Sequence, residues 1–208
     1  LRSLVGSEMC IRDSPWGPRK KARQTSSYAG GMTIHEEHPF ATPPADRDAL
    51  RRVRGLLPAP VTVWTTGAGR RREGWTISSM MLADGAPDGG ERAPEVIGLL
   101  DEHSDLADEL EPGTPITVNV LGHGIASANL ADAFARLAPA PGGPFTLGEW
   151  TDTDHGPRLD DAAAWVSAEI IDAATHAGWA LLVRARVVSA ERGTGDALRH
   201  ERGRYVLD

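Results

Sequence analysis

Apolar positions along the chain follow two periods. Residues 46–57 (DRDALRRVRGLL) set Leu50, Val53, Leu56 and Leu57 at the spacing of one helix face, and Pro58 and Pro60 end that helix. Short runs rich in Val, Ile, Thr and Trp come next, bounded by Gly and Pro: VTVWTT (61–66), GWTISSMML (74–82), EVIGLL (95–100) and PITVNVL (115–121). Each reads as a strand. The segment GAGRRREG (67–74) between the first two predicts a hairpin with a basic tip. Helical spacing returns at 104–110 (SDLADEL), opened by Ser104 as N-cap with Asp105 in the first turn. It returns again at 127–138 (SANLADAFARLA), where Leu130, Ala131, Phe134 and Leu137 share a face and Pro139 stops the helix. A Pro/Gly-rich loop, PAPGGPFTLGEW, leads on. The last third is strand again: AAWVSAEIIDAAT, WALLVRARVVSAER and ALRHERGRYVLD, the last with a turn at Glu201–Gly203.

The pattern predicts a mainly β fold of six or seven strands with two or three flanking helices. Short connections favour antiparallel pairing. Strands do not alternate with long helices, which argues against a doubly wound sheet. A closed barrel with helices packed outside fits best.

Composition narrows the functional classes. The 208 residues carry a formal charge of −7, which argues against a nucleic-acid partner. No apolar run approaches the roughly 20 residues of a membrane-spanning helix. Cys10 is the single cysteine, so no internal disulfide and no cysteine metal site is expected, and a cytoplasmic location is the default. Residues 1–31 hold that cysteine and a net +4, leaving −11 for the remainder. This segment has no steady period. It reads as a disordered basic arm, a targeting segment, or sequence upstream of the true start. The third reading is favoured, with Met32 opening a single domain that runs to residue 208.

Familiar catalytic signatures are missing. No GxGxxG follows a strand, and neither a GxxxxGK[ST] loop nor a GxSxG elbow occurs. The seven histidines, at 35, 38, 103, 123, 155, 176 and 200, are scattered without metal-ligand spacing. The turn DTDHG (152–156) reads as a solvated acidic turn.

From about residue 58 to 208 the chain resembles the flavin reductase-like family, whose fold is the FMN-binding split barrel. The resemblance rests on PVTVWTT (60–66), GWTISS (74–79), Ser104 after EVIGLLDEH, VNVL (118–121) followed by LADAFA (130–135), and VRARVV with the closing GRY (203–205). It implies an oxidoreductase that binds FMN, with FAD as the variant, and transfers hydride from NAD(P)H to flavin. It implies cofactor contacts at Thr66, Trp75, Thr76, Ile77, Ser78, Ser79, Ser104, Asn119 and Phe134, with no catalytic side chain and no metal. Such a site needs an apolar slot for the isoalloxazine ring and donors for its polar edge and phosphate. Amides of residues 77–79 would meet the ring edge, and Ser104 would meet the phosphate. Catalysis by positioning needs only that nicotinamide C4 lie about 3–3.5 Å from flavin N5. A homodimer and a monooxygenase partner are further implications. The alternative is a flavin-binding or flavin-free barrel without turnover, serving storage, sensing or assembly.

Three departures from the family pattern stand out. Where the family has Gly-Asp-His, this chain has Gly178, Trp179 and Ala180, with His176 two residues earlier. An insertion, GAPDGGERAPE, replaces a Pro-Pro pair and leaves only Pro94 beside the next strand. Asp105, Asp108 and Glu109 crowd the expected phosphate turn, so a cation such as Arg136, or one from the 70–72 tip, is required to offset them.

Overall fold

The computed structural model describes residues 49–86 and 92–207. The expectations for residues 1–31 and for the helix start at 46–48 lie outside the described residues.

Helix α1 (Ala49–Arg54) leads into β1 (Ala59–Pro60) and β2 (Thr62–Thr66). A 3-10 turn at Gly69–Arg71 forms the expected basic tip, and β3 (Glu73–Ile77) returns antiparallel to β2. Strands β4 (Met80–Ala83), β5 (Glu95–Leu100) and β6 (Pro115–Val120) follow, then α2 (Ile125–Phe134). The rest comprises β7 (Trp150–Thr153), β8 (Gly156–Leu159), the long hairpin β9 (Ala164–Ala177) and β10 (Ala180–Arg192), and the closing hairpin β11 (Arg199–Glu201) and β12 (Arg204–Val206).

Seven strands form one antiparallel sheet in the order β3-β2-β6-β9-β10-β5-β4. Its two edges, β3 and β4, are consecutive in the chain and separated by only Ser78 and Ser79. Two residues span less than about 11 Å of chain, so the sheet must curl until its edges meet at that end. A half-barrel results. The run 74–82 is therefore two strands rather than the one expected, because the chain steps from one sheet edge to the other at Ser78–Ser79.

Alternation along the strands separates two cores. Trp64, Ile77, Val96, Leu100, Val118, Val166, Val183 and Ala185 fill the barrel interior. Val61, Val63, Leu130, Phe134, Leu159, Trp165 and Leu198 form a second cluster on the outer face. Strand β2 serves both, which is why all five of its residues are buried.

Several predicted elements take a different form. The expected helix at 104–110 is only a 3-10 turn at Ala107–Glu109, since seven residues make fewer than two α-helical turns and cannot offset the cost of nucleation. Helix α2 starts after Gly124 rather than at Ser127, and ends where Arg136 adopts φ +58°. The expected loop before residue 151 and the DTDHG turn yield the hairpin β7–β8, which has its own two-stranded pairing. Outside the main sheet, β1-β11-β12 form a small three-stranded sheet.

Gly98 is a packing necessity. A Cβ there would lie 2.8 Å from two ring atoms of Trp64. That ring is fully buried and pinned by an Nε1–H donated to Thr62 Oγ1 at 3.1 Å. Gly98→Ala should cost about 1–3 kcal/mol by overpacking, read as a lower Tm in a thermal melt. The closing hairpin is anchored by the Tyr205 hydroxyl, which donates to Asp132 Oδ1 at 2.7 Å. Burial first, then the Asp132 charge and this hydrogen bond, push the phenol well above its ordinary value. Its stabilising contribution is complete below about pH 10, the ordinary phenol value, and drains away as pH rises beyond it. Melts of Tyr205→Phe should show a lower Tm at neutral pH and a shallower loss of stability above about pH 10.

Candidate functional site

A groove of about 340 Å³ opens where the two sheet edges meet. Ser78, Ser79, Met80 and Met81 form one wall, and Ile97, Gly98, Leu99 and Leu182 the floor. Leu57–Pro60 and the end of α1 form the other wall, with His200. Alternation in β5 explains the floor: Val96, Gly98 and Leu100 are buried, while Ile97 and Leu99 are half-buried on the opposite face. The outer wall is held by β1 pairing with β11, Ala59 opposite His200, and by the Arg202 amide donating to the Gly55 carbonyl at 2.7 Å.

Ser78 and Ser79 are the polar edge of this apolar groove. Their carbonyls accept from the Met80 amide at 3.2 Å and the Leu99 amide at 2.9 Å. Among the described residues, their own amides and hydroxyls enter no hydrogen bond. Unspent donors beside an apolar slot of this size are the composition of a small-molecule site.

The remaining expected contacts lie deeper. Thr66 Oγ1 donates to the Pro115 carbonyl at 2.8 Å, and Thr76 Oγ1 to the Ala131 carbonyl at 2.7 Å. Ile77 and Phe134 are fully buried, the first in the barrel and the second in the outer cluster against Phe145 and Trp150. Trp75 is packed in the barrel core, and its Nε1 is the one buried side-chain polar atom without a partner among the described residues. Ser104 is 1% exposed; its hydroxyl donates to the Asp101 carbonyl at 2.7 Å and accepts from the Ala107 amide at 3.2 Å. The structure thus gathers Ser78 and Ser79 at the groove and spends the Thr66, Thr76 and Ser104 hydroxyls on internal bonds.

Of the two cations offered for the carboxylates around Ser104, the structure brings Arg136, at the end of α2, to one of them, Asp105. Glu73 lies close by, and its carboxyl is pushed up by burial first and then by Asp105, against the opposing pull of Arg136. Arg72 is occupied elsewhere: its Nε bonds Asp152 at 2.8 Å and holds that carboxyl below its usual range.

The model of the flavin reductase like domain matches residues 53–206. The chain belongs to the flavin reductase-like family. A reductase component of a 4-nitrophenol 4-monooxygenase/4-nitrocatechol 2-monooxygenase from Rhodococcus opacus is 30% identical over 163 residues, 78% of this chain and 81% of that protein. Two solved structures share the fold. The NADH:FAD oxidoreductase SgcE6 of Streptomyces globisporus is 24% identical, with a TM-score of 0.63 over 80% of this chain and 95% of its own. BorF, the flavin reductase component of a bacterial two-component tryptophan halogenase, is 25% identical, with a TM-score of 0.61 over 76% and 95%.

In this flavin reductase-like domain the β9–β10 turn carries the departure noted in the sequence. Ala180 is buried and faces Ala177, while Trp179 is 38% exposed. His176 Nε2 lies 3.0 Å from Glu102 Oε2, and His103 packs edge-on to Trp179 with centroids 6.3 Å apart. The His176 hydrogen bond is the main cause holding the Glu102 carboxyl below its usual range.

Asn119 is fully buried and acts as a rivet. Its Nδ2 donates to the Val63 carbonyl at 3.1 Å and to the Pro157 carbonyl at 3.3 Å, and its Oδ1 accepts from the Leu159 amide at 2.8 Å. It thereby fastens β7–β8 to β2 and β6. Asn119→Ala would strand several buried groups and should cost about 3 kcal/mol or more, measured as a lower urea midpoint.

The sequence reading missed Met80, Met81, Ile97, Leu99 and Leu182 as groove residues. The signal was present in EVIGLL, whose alternation leaves Ile97 and Leu99 without a place in the barrel core.

Proposed function

We propose that the groove beside Ser78 and Ser79 holds the isoalloxazine ring of a flavin, FMN by family resemblance, and that the domain reduces it with NAD(P)H. The observation that carries this reading is the unspent amide and hydroxyl donors of Ser78 and Ser79 at the polar edge of an apolar slot. When bound, the flavin supplies the hydride-accepting ring. Met80, Met81, Ile97, Leu99 and Leu182 would exclude water from its faces, while the two serines would orient its polar edge. Positioning of this kind is the main demand of hydride transfer. Arg136, paired with Asp105, brings a cation beside the Ser104 turn.

Reduced flavin would pass to a monooxygenase, in line with the Rhodococcus relative named as a reductase component. The FAD in the name of SgcE6 makes FAD the competing cofactor. A homodimer is supported by exposed apolar side chains around the groove. Leu50, Val53, Leu56 and Leu57 of the α1 segment, with Met81 and Leu82 of β4, are all more than half exposed. A cytoplasmic setting, where reduced nicotinamide is available, completes the proposal; no helix among the described residues is long and apolar enough to cross a membrane.

Binding is tested by titrating FMN and FAD into wild type and Met81→Glu. Met81 is an exposed groove residue, so the variant should keep its Tm and lose about tenfold or more in flavin affinity. Equal affinity in both proteins would move the flavin elsewhere. Anaerobic NADH or NADPH should then bleach the visible flavin band. An unchanged spectrum favours the alternative of flavin binding without turnover, for which the Gly178-Trp179-Ala180 turn is the supporting observation.

A further inference from the structure

On the outer face of the sheet, far from the groove in composition and sharing no residue with it, a row of hydroxyls crosses four adjacent strands. Thr65 of β2 pairs with Thr117 of β6, Thr117 with Ser167 of β9, and Ser167 with Ser189 of β10. Cross-strand partners share a face at about 4.8 Å spacing, so the hydroxyls form a continuous polar line. The fourth member depends on a β-bulge. Ala185 is in the barrel core and Val187 packs against it, so strict alternation would turn Ser189 inward as well. The register shifts between Val187 and Ser189, where Val188 is an extra residue. This one-residue slip turns Ser189 and Glu191 to the outer face beside Ser167 and Trp165.

Half of the line is already used. The β7–β8 hairpin lies over Thr65 and Thr117, whose hydroxyls donate to the Pro157 carbonyl at 2.6 Å and the Gly156 carbonyl at 3.4 Å. Beyond the hairpin edge the line opens into a polar cavity of about 180 Å³. There the Ser167 and Ser189 hydroxyls, the Asp154 carboxylate and the His155 imidazole have no side-chain partner among the described residues. Arg158 closes one side, its guanidinium 3.8 Å from the Trp165 ring centre and 2.9 Å from Glu191.

We propose that this cavity is a second binding site, for a neutral polyhydroxylated ligand the size of one monosaccharide or ribosyl unit. Hydroxyls both donate and accept, the two carboxylates accept, and the imidazole and guanidinium donate, which matches a ligand bearing hydroxyls on several sides. Asp154 and Glu191 against Arg158 leave no cationic excess, which disfavours an anion. The Trp165 ring is covered by Arg158, so its face is closed to a flat aromatic ligand. The site does not depend on what occupies the groove.

The shared chemistry has two sources, a free polyol or the ribosyl part of a nucleoside. Amide shifts of the ¹⁵N-labelled protein are followed while ribitol, glucose or adenosine is added to about 50 mM, in the millimolar affinity range of weak ligands. Saturable shifts at residues 153–155, 167 and 189 are expected. Ribitol or glucose acting alone identifies a free polyol, and adenosine acting alone identifies a ribosyl group. Asp154→Asn and Ser189→Ala are both exposed changes and should each weaken binding by roughly tenfold (about 1.4 kcal/mol), with Tm and flavin affinity at wild-type levels. The proposal is overturned by no saturable shift with any of the three, or by shifts that both variants leave unchanged.

Discussion

The architecture depends on joining the two edges of one sheet through Ser78 and Ser79. A seven-stranded sheet left flat would expose β3 and β4 as open edges, a standing invitation to pairing between chains. With only two residues between them, the edges must converge, and convergence traps Trp64, Ile77, Val96 and Val118 in a common interior. Room for that interior is set by small residues as much as by large ones. Gly98 yields its volume to the Trp64 ring, and Gly74 lets Phe134 of α2 approach within the reach of a missing Cβ. At the junction itself the backbone turns too sharply for ladder pairing, and donors are left over. The same constraint therefore closes the barrel and leaves the polar edge of the groove.

Local pattern revealed most of the strands and little of their partners. VTVWTT, EVIGLL and PITVNVL appear as β2, β5 and β6 with nearly the expected bounds, because Val, Ile and Thr at alternating positions suit a pleated surface. The break at Ser78–Ser79 was hidden, since nothing in GWTISSMML changes period where the chain leaves one edge for the other. The β7–β8 hairpin was hidden for another reason: its strands are only four residues each, without an apolar alternation, and Asn119 holds β8 at the Pro157 carbonyl and Leu159 amide from some 40 residues away. Expected polar residues divided in the same way. Thr66, Thr76 and Asn119 have the right chemistry for a ligand, yet each is committed to a carbonyl supplied by tertiary contact, which no local window shows.

Charge is distributed to keep its effects local. Arg136 answers Asp105 beside Glu73, Arg72 answers Asp152, Arg158 answers Glu191 and Arg184 answers Glu95. Each is a partly exposed pair with modest energy of its own. None of these pairs lines the groove, whose walls are apolar and neutral apart from Arg54 and His200 at the outer side. The outer cavity is the opposite case, rich in ionisable groups and poor in apolar surface. One fold thus presents two contrasting environments on the outer side of one sheet, the groove over β4, β5 and β10 and the cavity over β6, β9 and β10.

The groove's outer wall has a consequence for how the molecule is made. Arg202 reaches back to Gly55, and Leu198 accepts the Val61 amide, so residues about 140 positions apart complete one wall. During synthesis the serine edge and the β5 part of the floor emerge early, but the outer wall lacks its bracing hairpin until the last strands leave the ribosome. Closing so long a loop is an entropic penalty met only once the barrel already stands. The outer wall is therefore braced late in the life of each chain, and molecules truncated before β11 would keep the floor and the serine edge but lack His200 and the hydrogen bonds that hold that wall.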